Sequence, residues 1–201
     1  MVESRASSTT MASPTVKACV FAVAVAFGAF DLGSYWFFKR ASVDFIVARR
    51  EADPPPYRIS TTVSWKQSSP GALFGWSRPE TVGTWSVGPS SALAVRLPGR
   101  PAEDLLLTAS VIAFVNQHKL PARHVDVLVN GTLVAEWLFE NNQPVERTAR
   151  IARALIPGNG TVRVDFRFRE VHSPSELGMG RDSRRMSLLM SQWRLDPVAG
   201  E

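Results

Sequence analysis

From Val162 to Arg169 the chain alternates without a lapse, setting Val162, Val164, Phe166 and Phe168 against Arg163, Asp165, Arg167 and Arg169. Successive side chains of a strand point to opposite faces, so this period of two describes a β-strand with one apolar face and one polar face. A strand of that kind belongs to an antiparallel sheet covered on one side, because a strand buried on both faces reads as a continuous apolar run. The polar face holds three arginines and one aspartate, and it reads as a basic outer surface. An apolar sheet face needs a second layer to cover it.

The neighbouring segments supply that layer. Ile59 to Trp65 alternates loosely, and Ser91 to Leu97 places Leu93, Val95 and Leu97 on one face. Leu105 to Val115 is a long apolar strand, expected to be buried on both sides or bulged. Val125, Val127 and Val129 alternate with Asp126 and Leu128 and run into Asn130-Gly131, with a return over Leu133 to Phe139. Asn-Gly between two such runs is a strong hairpin signal, since a type I′ turn needs positive φ at both central residues. Ala149 to Ile156 ends at Pro157-Gly158-Asn159-Gly160, and Met186 to Leu195 gives a last strand. Seven or eight strands with no long amphipathic helix predict an all-β fold, an antiparallel β-sandwich or jelly roll over residues 57–201. Turn chemistry explains the two sequon-like triplets at Asn130 and Asn159.

Before that domain the composition changes. Residues 1–15 are polar and rich in Ser, Thr and Ala, and read as a disordered tail. Residues 16–40 read as one transmembrane anchor, apolar from Ala18 to Phe38 except for Asp31, with Tyr35, Trp36, Phe37 and Phe38 as an interfacial belt before Lys39 and Arg40. As a helix, residues 18–38 would span about 31 Å, one hydrocarbon core. The competing reading is a cleaved signal peptide, but no clean A-x-A site follows the apolar run. Residues 41–56 form a juxtamembrane helix and a proline-rich linker, stopped at Asp53-Pro54-Pro55-Pro56. Lys39, Arg40, Arg49 and Arg50 follow the span and outnumber Arg5 and Lys17 before it, so the positive-inside rule favours a cytoplasmic domain.

The net charge of +5 falls to +3 from Ala52 onward, with 17 Lys and Arg against 14 Asp and Glu. That excess is too small and too scattered for a nucleic-acid partner. The single cysteine, Cys19, rules out an intramolecular disulfide and a thiolate zinc cluster.

Two segments carry the candidate chemistry. Residues 74–88 hold two tryptophans, several glycines and a carboxylate in what reads as loop, and Trp76, Glu80, Trp85 and Ser86 suit a sugar site of stacked aromatic faces and a few polar groups. The bland reading has both tryptophans capping one end of the sandwich. Residues 172–185 form a long polar loop in which Glu176, Asp182 and Arg184 are the candidates, the bland reading being that Asp182 and Arg184 fix each other.

The spaced motifs Gly75-Trp76-x-x-Pro79-Glu80-x-x-Gly83-Thr84-Trp85-Ser86-x-Gly88 and Ser173-Pro174-x-Glu176-Leu177-Gly178-x-x-x-Asp182-x-Arg184 also carry a resemblance. With the Val-rich strand ending in Val129-Asn130-Gly131 between them, they resemble a carbohydrate-binding-like β-sandwich module found at the C-terminal ends of bacterial membrane glycosyltransferases and related envelope-glycan proteins. The resemblance covers roughly Val63 to Leu195 and implies a jelly roll that faces the periplasm from the inner membrane, against the Lys/Arg count. It departs from the pattern at Met186-Ser187, where such modules often carry Leu-Gly, and the multi-span transferase is absent.

The sequence shows no Gly-x-Ser-x-Gly elbow, no His-Glu-x-x-His and no phosphate-cradling loop, so no catalytic residue, cofactor or metal is expected. The reading is a membrane-anchored accessory protein whose partners are a glycan or glycolipid and a membrane glycosyltransferase or export complex. Two alternatives stand beside it. One is a structural subunit that docks through Asp31 or the Arg163/Arg167/Arg169 row without touching sugar. The other is a hydrolase or lyase using Glu80 with Glu176 or Asp182.

Overall fold

The computed structural model describes residues 47–198. The expected tail and the expected span at 18–38, with Asp31, lie outside the described residues. Among the described residues no helix is long and apolar enough to cross a membrane. Residues 47–52 are helical, and the chain then turns into extended structure at the prolines.

Ten strands follow: β1 (Val63–Ser64), β2 (Ala72–Phe74), β3 (Thr84–Val87), β4 (Ser90–Arg96), β5 (Asp104–Ala113), β6 (Arg123–Val129), β7 (Thr132–Phe139), β8 (Val145–Ile151), β9 (Thr161–Phe168) and β10 (Met186–Val198). They form two five-stranded sheets. One runs β1-β10-β5-β8 with β3 also on β10, and the other runs β2-β4-β9-β6-β7. All pairings between the strands are antiparallel, so the fold is an antiparallel β-sandwich.

The alternating strand β9 sits between β4 and β6, with Val162, Val164, Phe166 and Phe168 buried. Opposite them lie Leu105, Leu107, Ala109, Val111 and Ala113 of β5 and Leu188, Met190, Trp193 and Leu195 of β10. Each of the Val, Leu, Met and Phe side chains among them, fully buried, contributes about 1.5–3 kcal/mol of transfer free energy. Strand β5 is not buried on both faces: Leu106, Ser110 and Ile112 are half-buried on its outer side. The irregularity lies in its partner, where Ser191 is the extra residue between Met190, opposite Val111, and Gln192, opposite Ser110. The Ser191 carbonyl freed there accepts the Trp65 N–H at 2.8 Å.

Strand β8 begins earlier than its apolar residues suggest and ends at Ile151, after which Arg153–Leu155 form a single 3-10 turn. The hairpin at Asn130-Gly131 has positive φ at both residues, 47° and 87°. The Asn130 carboxamide is fully engaged: Nδ2 donates to the carbonyls of Leu155 (2.9 Å) and Thr161 (3.1 Å), and Oδ1 accepts the Arg163 N–H (3.0 Å).

The outer face of β9 is not a basic row. Arg163 is bidentate to Asp165, pairs with Glu51 and lies over the Phe74 ring. Arg169 reaches Glu136 at 2.8 Å and Asp126 at 3.4 Å. Asp165 of β9 itself and Glu51 neutralise Arg163, while Asp126 of β6 and Glu136 of β7 neutralise Arg169; only the three carboxylates outside β9 are hidden from its linear sequence. Arg167 is exposed and forms no ion pair among the described residues.

The chain enters the sandwich at the end where β4 finishes. Asp53 pairs with Arg96 at 2.7 Å, and the Arg96 N–H donates to the Pro55 carbonyl at 2.9 Å. Tyr57 stacks on Trp193 with centroids 5.1 Å apart. Its hydroxyl donates to the Thr61 carbonyl (2.6 Å) and accepts the Leu195 N–H (2.9 Å), and burial holds its pKa above the ordinary value. The long connections that hold the candidate residues lie at the other end, where β4 begins and β9 finishes.

Candidate functional site

Residues 75–87 are not a loose loop but a two-stranded arm. The Val87 N–H donates to the Gly75 carbonyl (2.7 Å), Trp76 bridges Ser86, and the Ser77 N–H donates to the Trp85 carbonyl (2.8 Å). Glu80 and Gly83 exchange both backbone bonds, which leaves Thr81-Val82 as the tip. β3 is the returning limb. Gly83 allows the arm to lie flat on β10: a Cβ there would stand 2.6 Å from the Met190 carbonyl oxygen.

The arm gives its two tryptophans different surroundings. Trp76 is directed at the core, with its ring edge-on to Trp65 (4.6 Å) and Phe166 (6.0 Å) and its Nε1–H donating to the Ala92 carbonyl (2.8 Å). Trp85 is half-buried opposite Leu189 on the outer side of the other sheet, edge-on to Phe114 at 6.5 Å. Ser86 is fully buried. Between the Met186–Val87 and Leu189–Trp85 pairs, β10 carries one residue more than β3, and Ser86 Oγ accepts the Leu188 N–H at 2.8 Å in that irregularity. Both tryptophans are half-buried, but Trp76 and Ser86 hold the arm in place through the core and β10, while Trp85 has a single aromatic contact among the described residues.

The second segment, between β9 and β10, is organised by its own carboxylates. Ser173 and Glu176 form a capping box: the Ser173 N–H donates to Glu176 Oε2 (2.9 Å), and the Glu176 N–H donates to Ser173 Oγ (3.1 Å). Glu176 Oε1 accepts both Nε and Nη2 of Arg185. The guanidinium of Arg185, then the Ser173 N–H, hold the Glu176 carboxyl below its usual range. Asp182 is chelated by Arg184 through Nε and Nη2 and also accepts the Arg184 backbone N–H. That contact, above all the guanidinium, lowers its pKa.

Arg184 joins the two segments. Its Nη1 donates to Glu80 Oε1 at 2.8 Å while Nη2 holds Asp182 at 2.7 Å, and the two carboxylates raise its pKa, Asp182 foremost. Glu80, Asp182 and Arg184 thus meet directly, 34–40% exposed, although 104 residues separate Arg184 from Glu80. Glu176 belongs to the adjacent Arg185 pair, and Trp85 lies on the arm that carries Glu80. In this cluster Glu80 Oε2 has no partner among the described residues, and Nη1 and Nη2 of Arg184 each keep a second hydrogen. An unpaired acceptor beside charged donors can bind a ligand hydroxyl.

Sequence reasoning missed the other loops at this end. Arg123 is buried, with Nη1 donating to the Glu170 carbonyl and Nη2 to the Phe114 carbonyl at 3.3 Å, and burial lowers its pKa. It pins the end of β5 to the end of β9. Lys119 Nζ donates to the Leu177 carbonyl and ties the β5–β6 connection to the β9–β10 segment. The signal for the former was an arginine opening an otherwise apolar strand face. Among the described residues no three His, Cys, Asp or Glu side chains gather to hold a metal.

No family model matches the chain, and no curated protein matches it. Solved structures similar to it include a CBM36 carbohydrate-binding module in complex with calcium and xylotriose, at 11% identity, covering 68% of this chain and 99% of that one with a TM-score of 0.40. The CBM36-1 domain of a multidomain xylanase from the hindgut metagenome of Trinervitermes trinervoides matches at 10% identity, over 70% of this chain and 98% of that one, with a TM-score of 0.41. The CBM22-1 xylan-binding domain from Paenibacillus barcinonensis Xyn10C matches at 10% identity, over 73% and 99%, with a TM-score of 0.42. Likeness at this level assigns neither a ligand nor a binding residue to this chain.

Proposed function

We propose that this chain is a non-catalytic, glycan-binding accessory protein of bacterial envelope polysaccharide or glycolipid assembly. In this reading residues 18–38 anchor it in the inner membrane, the β-sandwich stands in the periplasm, and a membrane glycosyltransferase or export complex is its partner. The observation that carries the binding part is the Arg184–Glu80 contact. It brings two distant segments to one end of the sandwich and leaves an open carboxylate oxygen, guanidinium hydrogens and the half-buried Trp85 on the same structure. Hydroxyls match those polar groups, and an aromatic face matches the C–H surface of a sugar ring.

The same geometry argues against hydrolysis. A glycosidase needs one carboxyl that stays protonated near neutral pH and a second free to attack or to activate water. Glu176 and Asp182, the two partners available to Glu80, are both held ionised by arginines and have their oxygens occupied.

The test uses the full chain in lipid nanodiscs on a glycan array, with Trp85→Ala beside it. Wild type should bind a subset of glycans, and the variant should lose tenfold or more, about 1.4 kcal/mol. A folded Trp85→Ala protein with unchanged binding removes Trp85 from the site, and a wild type that binds no glycan overturns the proposal. Alkaline phosphatase fused after Glu201 should be active; an active β-galactosidase fusion instead would put the domain in the cytoplasm and remove the periplasmic part.

A further inference from the structure

The end of the sandwich that carries the arm also holds a hollow of about 260 Å³, which the sequence motifs touch only at Met179, an unspecified position of the second. Asn116, Gln117 and His118 line it from the β5–β6 connection, Asn141 and Asn142 from the β7–β8 connection, and Met179 from the β9–β10 segment. None of these is a carboxylate or a permanent cation.

Two of the asparagines are fixed by their own turns. Asn116 Oδ1 accepts the N–H groups of His118 and Lys119, both at 3.1 Å, and Asn141 Oδ1 accepts that of Gln143 at 3.1 Å. A carboxamide whose oxygen is held has its NH2 direction set as well. Neither NH2 group has a partner among the described residues, and neither do the side chains of Gln117 and Asn142. The loop is braced by bonds exchanged between Asn116 and Leu120 (2.9 and 2.8 Å) and by Lys119 on the Leu177 carbonyl. Met179 is 41% exposed and adds a soft apolar surface.

Carboxamides donate and accept without charge, which is what a ligand hydroxyl requires, and donors oriented in advance lose little entropy on binding. A charged ligand would find no counter-ion in this lining and would pay for desolvation. We infer that this hollow is a subsite for an uncharged, hydroxyl-rich ligand, a neutral sugar residue. The inference rests on the glycan reading above and extends it from the charged Glu80–Arg184 contact to a second, neutral contact at the same end.

Asn116→Asp and Asn141→Asp test it without dismantling the turns, because each keeps the oxygen that the turn needs and loses the outward NH2. Gln117→Ala and Asn142→Ala remove side chains that make no internal bond. Full-length protein in nanodiscs is assayed against neutral gluco-, manno- and xylo-oligosaccharides and against uronate-bearing ones, with Trp85→Ala in parallel and thermal unfolding as the folding control. The expected result is wild-type binding to a neutral oligosaccharide, a tenfold or greater loss in the two aspartate variants and several-fold losses in the two alanine variants, all with an unchanged melting temperature. Binding that Trp85→Ala abolishes but all four hollow variants retain overturns this inference and leaves the glycan reading standing. Wild-type binding confined to uronate-bearing probes overturns the neutral ligand, and no binding to any probe overturns both readings.

Discussion

Replacing Ser86 by alanine separates a structural role from a ligand contact. Ser86 Oγ is buried and accepts the Leu188 N–H at 2.8 Å where β10 carries its extra residue. Alanine removes the acceptor and leaves a buried N–H unsatisfied, which costs about 1–3 kcal/mol. For a domain of this size each kcal/mol lowers the melting temperature by roughly 2–4 °C, so a loss of about 2 kcal/mol predicts a fall of about 4–8 °C. Ser187 supplies the internal control, because its Oγ is equally buried but has no partner among the described residues. Ser187→Ala should therefore leave stability unchanged or raise it. Thermal unfolding followed by near-ultraviolet circular dichroism measures both variants, and the glycan array measures binding per folded molecule. A Ser86→Ala protein that melts with wild type, or a Ser187→Ala protein that falls as far, refutes the assignment of the serine to the irregularity.

Three further outcomes follow from the same geometry. Trp76→Ala should lower stability by about 3 kcal/mol, because the ring packs on Trp65 and Phe166, and denaturant titration reads this directly. Asn130→Ala should cost about 2 kcal/mol through the loss of three hydrogen bonds at a residue with φ of 47°; a midpoint equal to wild type would show the turn to be indifferent to them. Asp182 and Glu176 have pKa values depressed below 3.8 and 4.5, so folded protein binds fewer protons than unfolded near pH 4, and their stabilisation is full above that range and lost as pH falls through the depressed values. Amide protection in residues 173–185, taken relative to the intrinsic exchange rate at each pH, should fall below about pH 4 more than in β5 or β9, and an equal fall throughout would show that the arginine contacts do not order this segment.

The strands that form the middle of the sandwich were legible because both periodicity and residue type agree in them. β9 carries β-branched or aromatic side chains at every second position, β6 does so from Val125 to Val129, and Asn130-Gly131 fixes the register of the hairpin into β7. β8 was misplaced because only Ala149 and Ile151 of Val145–Ile151 are fully buried, so its polar half resembles a loop. β3 was missed because its pairing is with β10, about a hundred residues away, and glycine-rich flanks argue for a turn. The candidate site divides in the same way. That Asp182 and Arg184 hold each other was visible from their spacing, whereas Glu80 joining them required the two segments to meet. Trp76 and Trp85 looked equivalent in the sequence. Which one faces the core depends on the pairing of the arm, set by its contact with β10.

Those assignments bear on what the two sequence motifs encode. Gly83, Trp76, Ser86, Ser173 and Glu176 all act on the chain itself: they seat the arm on β10, close the core, satisfy a displaced N–H and cap a turn. Asp182 spends its oxygens on Arg184. Most of the motif therefore specifies the shape of one end of a sandwich, and only Glu80, Trp85 and the free edge of Arg184 remain to meet a ligand. On the glycan reading proposed above, three such groups with one open carboxylate oxygen would orient a sugar ring without telling many sugars apart, since every pyranose offers hydroxyls and a C–H face. On that reading, discrimination would come from groups outside the motif that share its end of the fold. The carboxamides around Asn116 and Asn141 meet both conditions, with their directions set by turns that contain none of the motif residues. A chain of this kind would then keep its motif and its fold and change its ligand by altering five residues in two short connections.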